Sequence, residues 1–224
     1  KQIGGAYTDN AISMALDASG NIYITGYFSG TADFNPGLGV FNLNSSGGFD
    51  GFVLKLNSLG ELVWAKQFAG TKDLNPSSIV VNTIGNISTT GYFTGKVDFD
   101  PGPATYYIDA GGYSDAFIST LDASGNFLWA KQISGSNVVY GNSITADGNG
   151  NLYITGSFLY TADFDPGPGV FNFTSSSDDA FVLKISPSGN FLWAKQIARQ
   201  GSFSIGNSLV LDGDGNIYTT GYFG

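Results

Sequence analysis

DASGNIYITGYF, residues 17–28, returns as NTIGNISTTGYF at 82–93, DGNGNLYITGSF at 147–158 and DGDGNIYTTGYF at 212–223. The glycines at positions 20, 85, 150 and 215 are spaced by 65 residues each time, so the chain is a tandem array. A second shared stretch lies between them: FVLKLNSLGELVWAKQF at 52–68, FISTLDASGNFLWAKQI at 117–133 and FVLKISPSGNFLWAKQI at 181–197. β-Branched and aromatic residues dominate each stretch, interrupted by short turns in which Gly supplies a positive φ. The first copy therefore predicts strands over residues 12–16, 22–28, 52–56 and 62–68, arranged as two hairpins. A four-stranded sheet of this size does not cover both its faces alone. Stacking successive copies about an axis does, and the fold class that follows is all-β, a β-propeller of four-stranded antiparallel blades.

Composition agrees. The chain has 224 residues, seventeen Asp but one Glu (Glu61), 33 Gly and no Cys or His. Asp favours turns where Glu favours helix interiors, and Asp here travels with 18 Phe and 12 Tyr. A net charge of −9, with only nine Lys and Arg, repels phosphate backbones and anionic membranes, so nucleic acid is not an expected partner. No run of eighteen apolar residues calls for direct membrane insertion. Lacking His and Cys, the chain also lacks the commonest general base, the best nucleophile and the soft metal ligands.

Trp64, Trp129 and Trp193 stand at one repeat position and read as blade-to-blade packing residues rather than a sugar-stacking platform. Asn21, Asn86, Asn151 and Asn216 close the first turn of each copy and are read as structural. Ser13, Ser78, Ser143 and Ser208 share a position in the first strand, where a wet channel wall and plain packing are both open readings.

Taken together, D-x-S-G-N-x-Y-x-T-G-Y-F, F-V-L-K-L-x-x-x-G and W-A-K-Q resemble the beta-propeller repeat abbreviated SBBP, for seven-bladed beta-propeller. The variety it resembles carries a D-F-D-P-G insertion and occurs in secreted and cell-surface proteins of Bacteroidota. The resemblance implies an extracellular or cell-surface destination, often by type IX secretion, and a place in large multidomain proteins; it implies no catalytic residue. The expected organisation is the tail of a preceding blade at 1–10, blades at 11–70, 71–135 and 136–199, and half a blade at 200–224. That makes about three and a half blades, a segment of a longer polypeptide whose other parts are its first expected partners.

The insertion itself reads DFNPG at 33–37, DFDPG at 98–102 and DFDPG at 163–167. In an extended chain Asp163 and Asp165 point to one face and Phe164 to the other, after which Pro-Gly turns the corner. Three equivalent pairs around a ring, Asp33/Asn35, Asp98/Asp100 and Asp163/Asp165, would be redundant for catalysis. Calcium is a second reading, since Asp33, Asp98, Asp100, Asp163 and Asp165 offer hard oxygen ligands. Asp147, and Asp212 with Asp214, in the D-x-N-x-N and D-x-D-x-N turns, are further calcium candidates. The favoured reading is that these side chains accept backbone N–H groups of their own turns.

For function, the sequence predicts a non-enzymatic structural, adhesive or interaction scaffold. A propeller that binds a surface glycan or protein is the alternative, and a non-catalytic part of a secreted enzyme the second. No cofactor is expected apart from the calcium named above.

Overall fold

Each repeat folds into four long antiparallel strands, with a short hairpin inserted between the second and third. The computed structural model describes residues 2–197 and 203–224. After a two-residue strand β1 (Gly4–Gly5), the first repeat forms β2 (Asp9–Leu16), β3 (Ile22–Phe28), the short β4 (Thr31–Asp33) and β5 (Asn42–Asn44), β6 (Asp50–Leu56) and β7 (Leu62–Gly70). The second forms β8 (Leu74–Val81), β9 (Ile87–Phe93), β10 (Lys96–Asp98), β11 (Tyr107–Asp109), β12 (Asp115–Leu121) and β13 (Phe127–Gly135). The third forms β14 (Val139–Ala146), β15 (Leu152–Phe158), β16 (Thr161–Asp163), β17 (Asn172–Thr174), β18 (Asp179–Ile185) and β19 (Phe191–Ile197). A last hairpin, β20 (Ser204–Leu211) and β21 (Ile217–Phe223), begins a fourth. The boundary expected between residues 199 and 200 lies outside the described residues. The chain is an all-β, open segment of a β-propeller, and none of its described elements is a helix long and apolar enough to cross a membrane.

First strands of successive repeats lie against one another and line the inner side of the arc: β2 against β8, β8 against β14, β14 against β20. Hydroxyls tie them. Ser78 Oγ accepts the Ile144 N–H at 3.2 Å, and Ser143 Oγ accepts that of Leu209 at 3.3 Å, so these serines bond one blade to the next. The first strands also begin earlier than the sequence pattern predicts, at Asp9 rather than residue 12. A β-bulge at Ile12 breaks the hydrophobic alternation while the pairing continues, Ala11 opposite Gly26 and Ser13 opposite Thr25. Because the bulged strand swings close to its neighbour, a Cβ on Gly26 would overlap the carbonyl oxygen of Asn10, and the same holds for Gly91 and Gly156. That contact explains the Gly of every T-G-Y-F.

The core lies between blades. Phe28, Phe34 and Phe52 form one buried aromatic group, with Phe28–Phe34 centroids 5.3 Å apart and Phe34–Phe52 4.8 Å apart. Phe93, Phe99 and Phe117 repeat it, as do Phe158, Phe164 and Phe181. Phe68 of the first blade packs on Phe99 of the second at 5.6 Å, so the ring of each D-F-D motif is inserted at a blade boundary.

Candidate functional site

The inserted hairpins do not stay within their own blades. β10 pairs with β7 of the preceding blade, Val97 opposite Gly70 and Asp98 opposite Ala69, and β11 pairs with β10. β16 and β17 extend β13 in the same way, while β4 and β5 extend β1. The second and third hairpins thereby turn the four-stranded sheets before them into six-stranded ones, β11-β10-β7-β6-β3-β2 for the first blade, while β4 and β5 form a three-stranded sheet with β1. This pairing is why the fourth strands run to Gly70 and Gly135, past the W-A-K-Q motif. It also covers an outer edge that would otherwise expose unpaired N–H and C=O groups.

Within the hairpin, Asp33 Oδ1 accepts the N–H groups of Asn35 (2.9 Å) and Phe41 (2.8 Å). Asp98 holds Asp100 and Tyr106, and Asp163 holds Asp165 and Phe171, by the same two bonds. Those backbone donors hold the Asp33 carboxyl below its ordinary value. One residue pair further on, Asn35, Asp100 and Asp165 each accept the N–H two residues ahead at 2.8 Å. A neutral amide and two carboxylates thus perform one task with one geometry.

The Gly-Asn turns follow the same logic. Asp17 Oδ1 accepts the N–H groups of Ser19 and Asn21, both at 2.9 Å, while Oδ2 accepts Asn21 Nδ2 at 2.7 Å and the Tyr23 hydroxyl at 3.1 Å. Asp147 with Asn151 and Tyr153, and Asp212 with Asn216 and Tyr218, repeat the set. In the second copy Asn82 Oδ1 receives Ile84 and Asn86 instead. Asp214 gives its N–H to Asp212 and enters no cage. Among the described residues no three acidic side chains come together in a group that would hold a metal ion.

Trp64 reaches across a blade boundary: its Nε1–H points to the carbonyl of Ala123 in the next blade's turn, 3.4 Å away. Trp129 does the same to Pro187 at 3.0 Å. Trp193 packs edge-on against Tyr153 of its own blade, as Trp64 does against Tyr23.

Sequence reasoning missed one recurrent group. Asp50, Asp115 and Asp179, at the start of each third strand, are buried. Each accepts the amide of the Gln in W-A-K-Q: Gln67 Nε2 to Asp50 at 2.6 Å, Gln132 to Asp115 and Gln196 to Asp179 at 2.5 Å. Gln67 and Gln132 also donate to the carbonyls of Asn44 and Asp109 in the inserted hairpins. The signal was present, an Asp and a Gln recurring in register in all three copies, but neither stands in a turn motif.

Between consecutive hairpins runs an open cleft. The first, about 560 Å³, has Phe41 on one wall, Lys66 and Gln67 on its floor and Asp98 and Asp100 opposite. Tyr106, Lys131, Gln132, Asp163 and Asp165 build its counterpart, about 310 Å³, one blade on. Nucleophile–base geometry is not among the features of either.

Residues 1–34, 128–157 and 192–222 match the family model of the SBBP beta-propeller repeat. An uncharacterised WD repeat-containing protein of Acanthamoeba polyphaga mimivirus is 24% identical over 259 residues, covering 99% of this chain and 18% of that protein. A regulatory protein, FlaEY, of Caulobacter vibrioides is 23% identical over 142 residues, 62% of this chain and 14% of its own length. The chain thus spans less than a fifth of either relative. A crystal structure of a protein of unknown function from Bacteroides caccae aligns over 84% of this chain and 82% of its own, at 15% identity and a TM-score of 0.28.

Proposed function

We propose that the chain is a non-enzymatic scaffold segment of a larger protein displayed at or beyond the cell surface, where its blades hold other parts of that protein, or a partner, in fixed geometry. The observation that carries this reading is the clasp: each inserted hairpin extends the sheet of the preceding blade, joining neighbours by backbone hydrogen bonds as well as by side-chain packing. Asp residues of the repeated motifs are spent on turn N–H groups, which serves rigidity rather than proton transfer. Protease shaving of intact cells carrying the full-length protein tests the location. Release of peptides from this segment supports the reading; peptides recovered only after lysis reject it.

A second reading, glycan binding, is favoured by one feature. The repeated clefts place an aromatic wall (Phe41, Tyr106) opposite a row of carboxylates at each blade boundary, suiting a polymer whose units repeat. A glycan array decides it: saturable binding to one polymer class, weakened by Tyr106→Ala, supports this role, and no binding at high protein concentration removes it.

A further inference from the structure

Blade 2 departs from blade 1 in the loop that precedes its third strand. In blade 1 the loop before Asp50 folds down so that the Ser46 N–H reaches Asp50 Oδ2 at 2.9 Å, completing a set that includes Gln67 and the N–H of Gly70. Gly47 in that loop lies against the carbonyl oxygens of Gly70 and Thr71, with no room for a side chain. At the equivalent position in blade 2 the Gly111 N–H turns instead to Asp109 Oδ1 at 3.0 Å. Gly111 and Gly112 have open space around them. Asp115 keeps Gln132 and the Gly135 N–H but has no counterpart of the Ser46 donor.

The lifted loop leaves a cleft of about 540 Å³ with Asp115 at its base. Asp109, Gln132, Ser134 and Ser136 line it, and Tyr113, 58% exposed, stands at its rim. No Lys or Arg is among the lining residues. Asp115 itself is 2% exposed, so an ionised carboxylate sits there desolvated with no cation beside it. Burial pushes its carboxyl up to about 6 against the pull of its two hydrogen bonds.

We propose that this cleft binds an ammonium or guanidinium group, with Asp115 accepting its N–H in place of the missing loop donor, Asp109 adding charge and Tyr113 offering an aromatic face to the cation. The net charge of −9 draws such a group toward the protein. A sugar hydroxyl could reach Asp115 too, but it would leave two carboxylates without a counter-charge. The site is independent of the scaffold reading, since it rests on the open Gly111–Gly112 loop of blade 2 and not on the hairpin clasp.

The test uses the whole chain, with the ¹³C carboxyl resonance of Asp115 followed against pH. The probes are spermidine, a capped Gly-Lys-Gly tripeptide and capped Gly-Gln-Gly. Expected is a saturable drop of the Asp115 midpoint, from about 6 by half a unit or more, with the lysine peptide or spermidine and not with the glutamine peptide. Whichever cationic probe is tighter names the source, a protein side chain or a free polyamine. Asp109→Asn keeps the acceptor for Gly111 and should weaken binding several-fold, and Tyr113→Ala, at an exposed position, should do likewise. Equal binding of the glutamine peptide, or an Asp115 midpoint that no cationic probe moves, overturns the proposal.

Discussion

Tyr160 occupies a left-handed backbone conformation, φ 65°, at the position where the other two blades have Gly30 (φ 68°) and Gly95 (φ 65°). A Cβ there costs on the order of 1 kcal/mol, and half of the Tyr160 side chain remains in solvent, so little packing offsets the strain. Tyr160→Gly should raise the urea midpoint by an amount corresponding to about 1 kcal/mol; a lower midpoint would show that the ring makes a compensating contact. The turn acceptors make a second case. Asn35 does with a neutral amide what Asp100 and Asp165 do with a carboxylate, so the charge is dispensable. Asp165→Asn is expected to change stability by less than about 0.5 kcal/mol, and excess EDTA to leave the melting temperature unchanged; a fall of several degrees with chelator would mean that a cation holds these loops. Asp115 provides the pH dependence. Its carboxyl titrates near 6 when folded and near 3.8 otherwise, so its contribution is greatest below about 4 and is lost as pH rises through 6, a swing of about 3 kcal/mol. Turn carboxylates such as Asp17 and Asp122, held low by their Asn and backbone donors, act in the opposite sense and lose their contribution as pH falls below about 4. Urea midpoints measured across this range should lose most of the decline between pH 4 and 6 in Asp115→Asn, the remainder coming from Asp178, whose carboxyl burial also raises, while the acid limb persists.

Among the elements, blade 2 differs in its interior as well as its loop. Where blade 1 pairs Ile24 with Leu54, blade 2 pairs Thr89 with Ser119, and both hydroxyls are buried without a hydrogen-bond partner. Unsatisfied hydroxyls cost more than apolar groups of the same shape. Thr89→Val combined with Ser119→Ala should therefore stabilise the chain by about 1–2 kcal/mol in denaturant melts, and destabilisation would show that a partner is present in solution. The long strands were legible because each is a run rich in β-branched or aromatic residues beside a Gly-Asn or Asn/Asp/Ser-x-x-Gly turn. Of the inserted hairpin, β11 was legible in part, because Tyr106-Tyr107 aligns with Phe41-Asn42 and Phe171-Asn172 as a short extra strand, and β10 was not. Three residues such as Lys96–Asp98 carry no periodicity, and their partner is Gly70 in another blade, a pairing that local pattern cannot encode. For the same reason the D-F-D-P-G turn chemistry could be read from the sequence and its crossing to the neighbour could not. The Asp–Gln pairs fell between these cases: 17 residues separate Asp50 from Gln67, and each residue taken alone looks like ordinary strand polarity.

Across the whole molecule, stability follows the number of neighbours a blade has. β20 and β21 form a two-stranded sheet joined to the arc through β14, β15 and β18, whereas blade 2 is covered on both faces. In this segment taken by itself, hydrogen exchange should therefore be fastest in β20 and β21 and slowest in β9 and β12; uniform protection would indicate a single cooperative unit. The clasp also has a consequence for how such a chain is made. β7 ends at Gly70, but the strands that complete its sheet end at Asp98 and Asp109, in the following repeat. During synthesis a blade leaves the ribosome with its outer edge still bare, and that edge closes only when about 40 further residues have emerged. Assembly is therefore vectorial, each repeat being finished by its successor. The unit that evolution can duplicate or trim without leaving a raw edge is correspondingly offset from the blade by one hairpin.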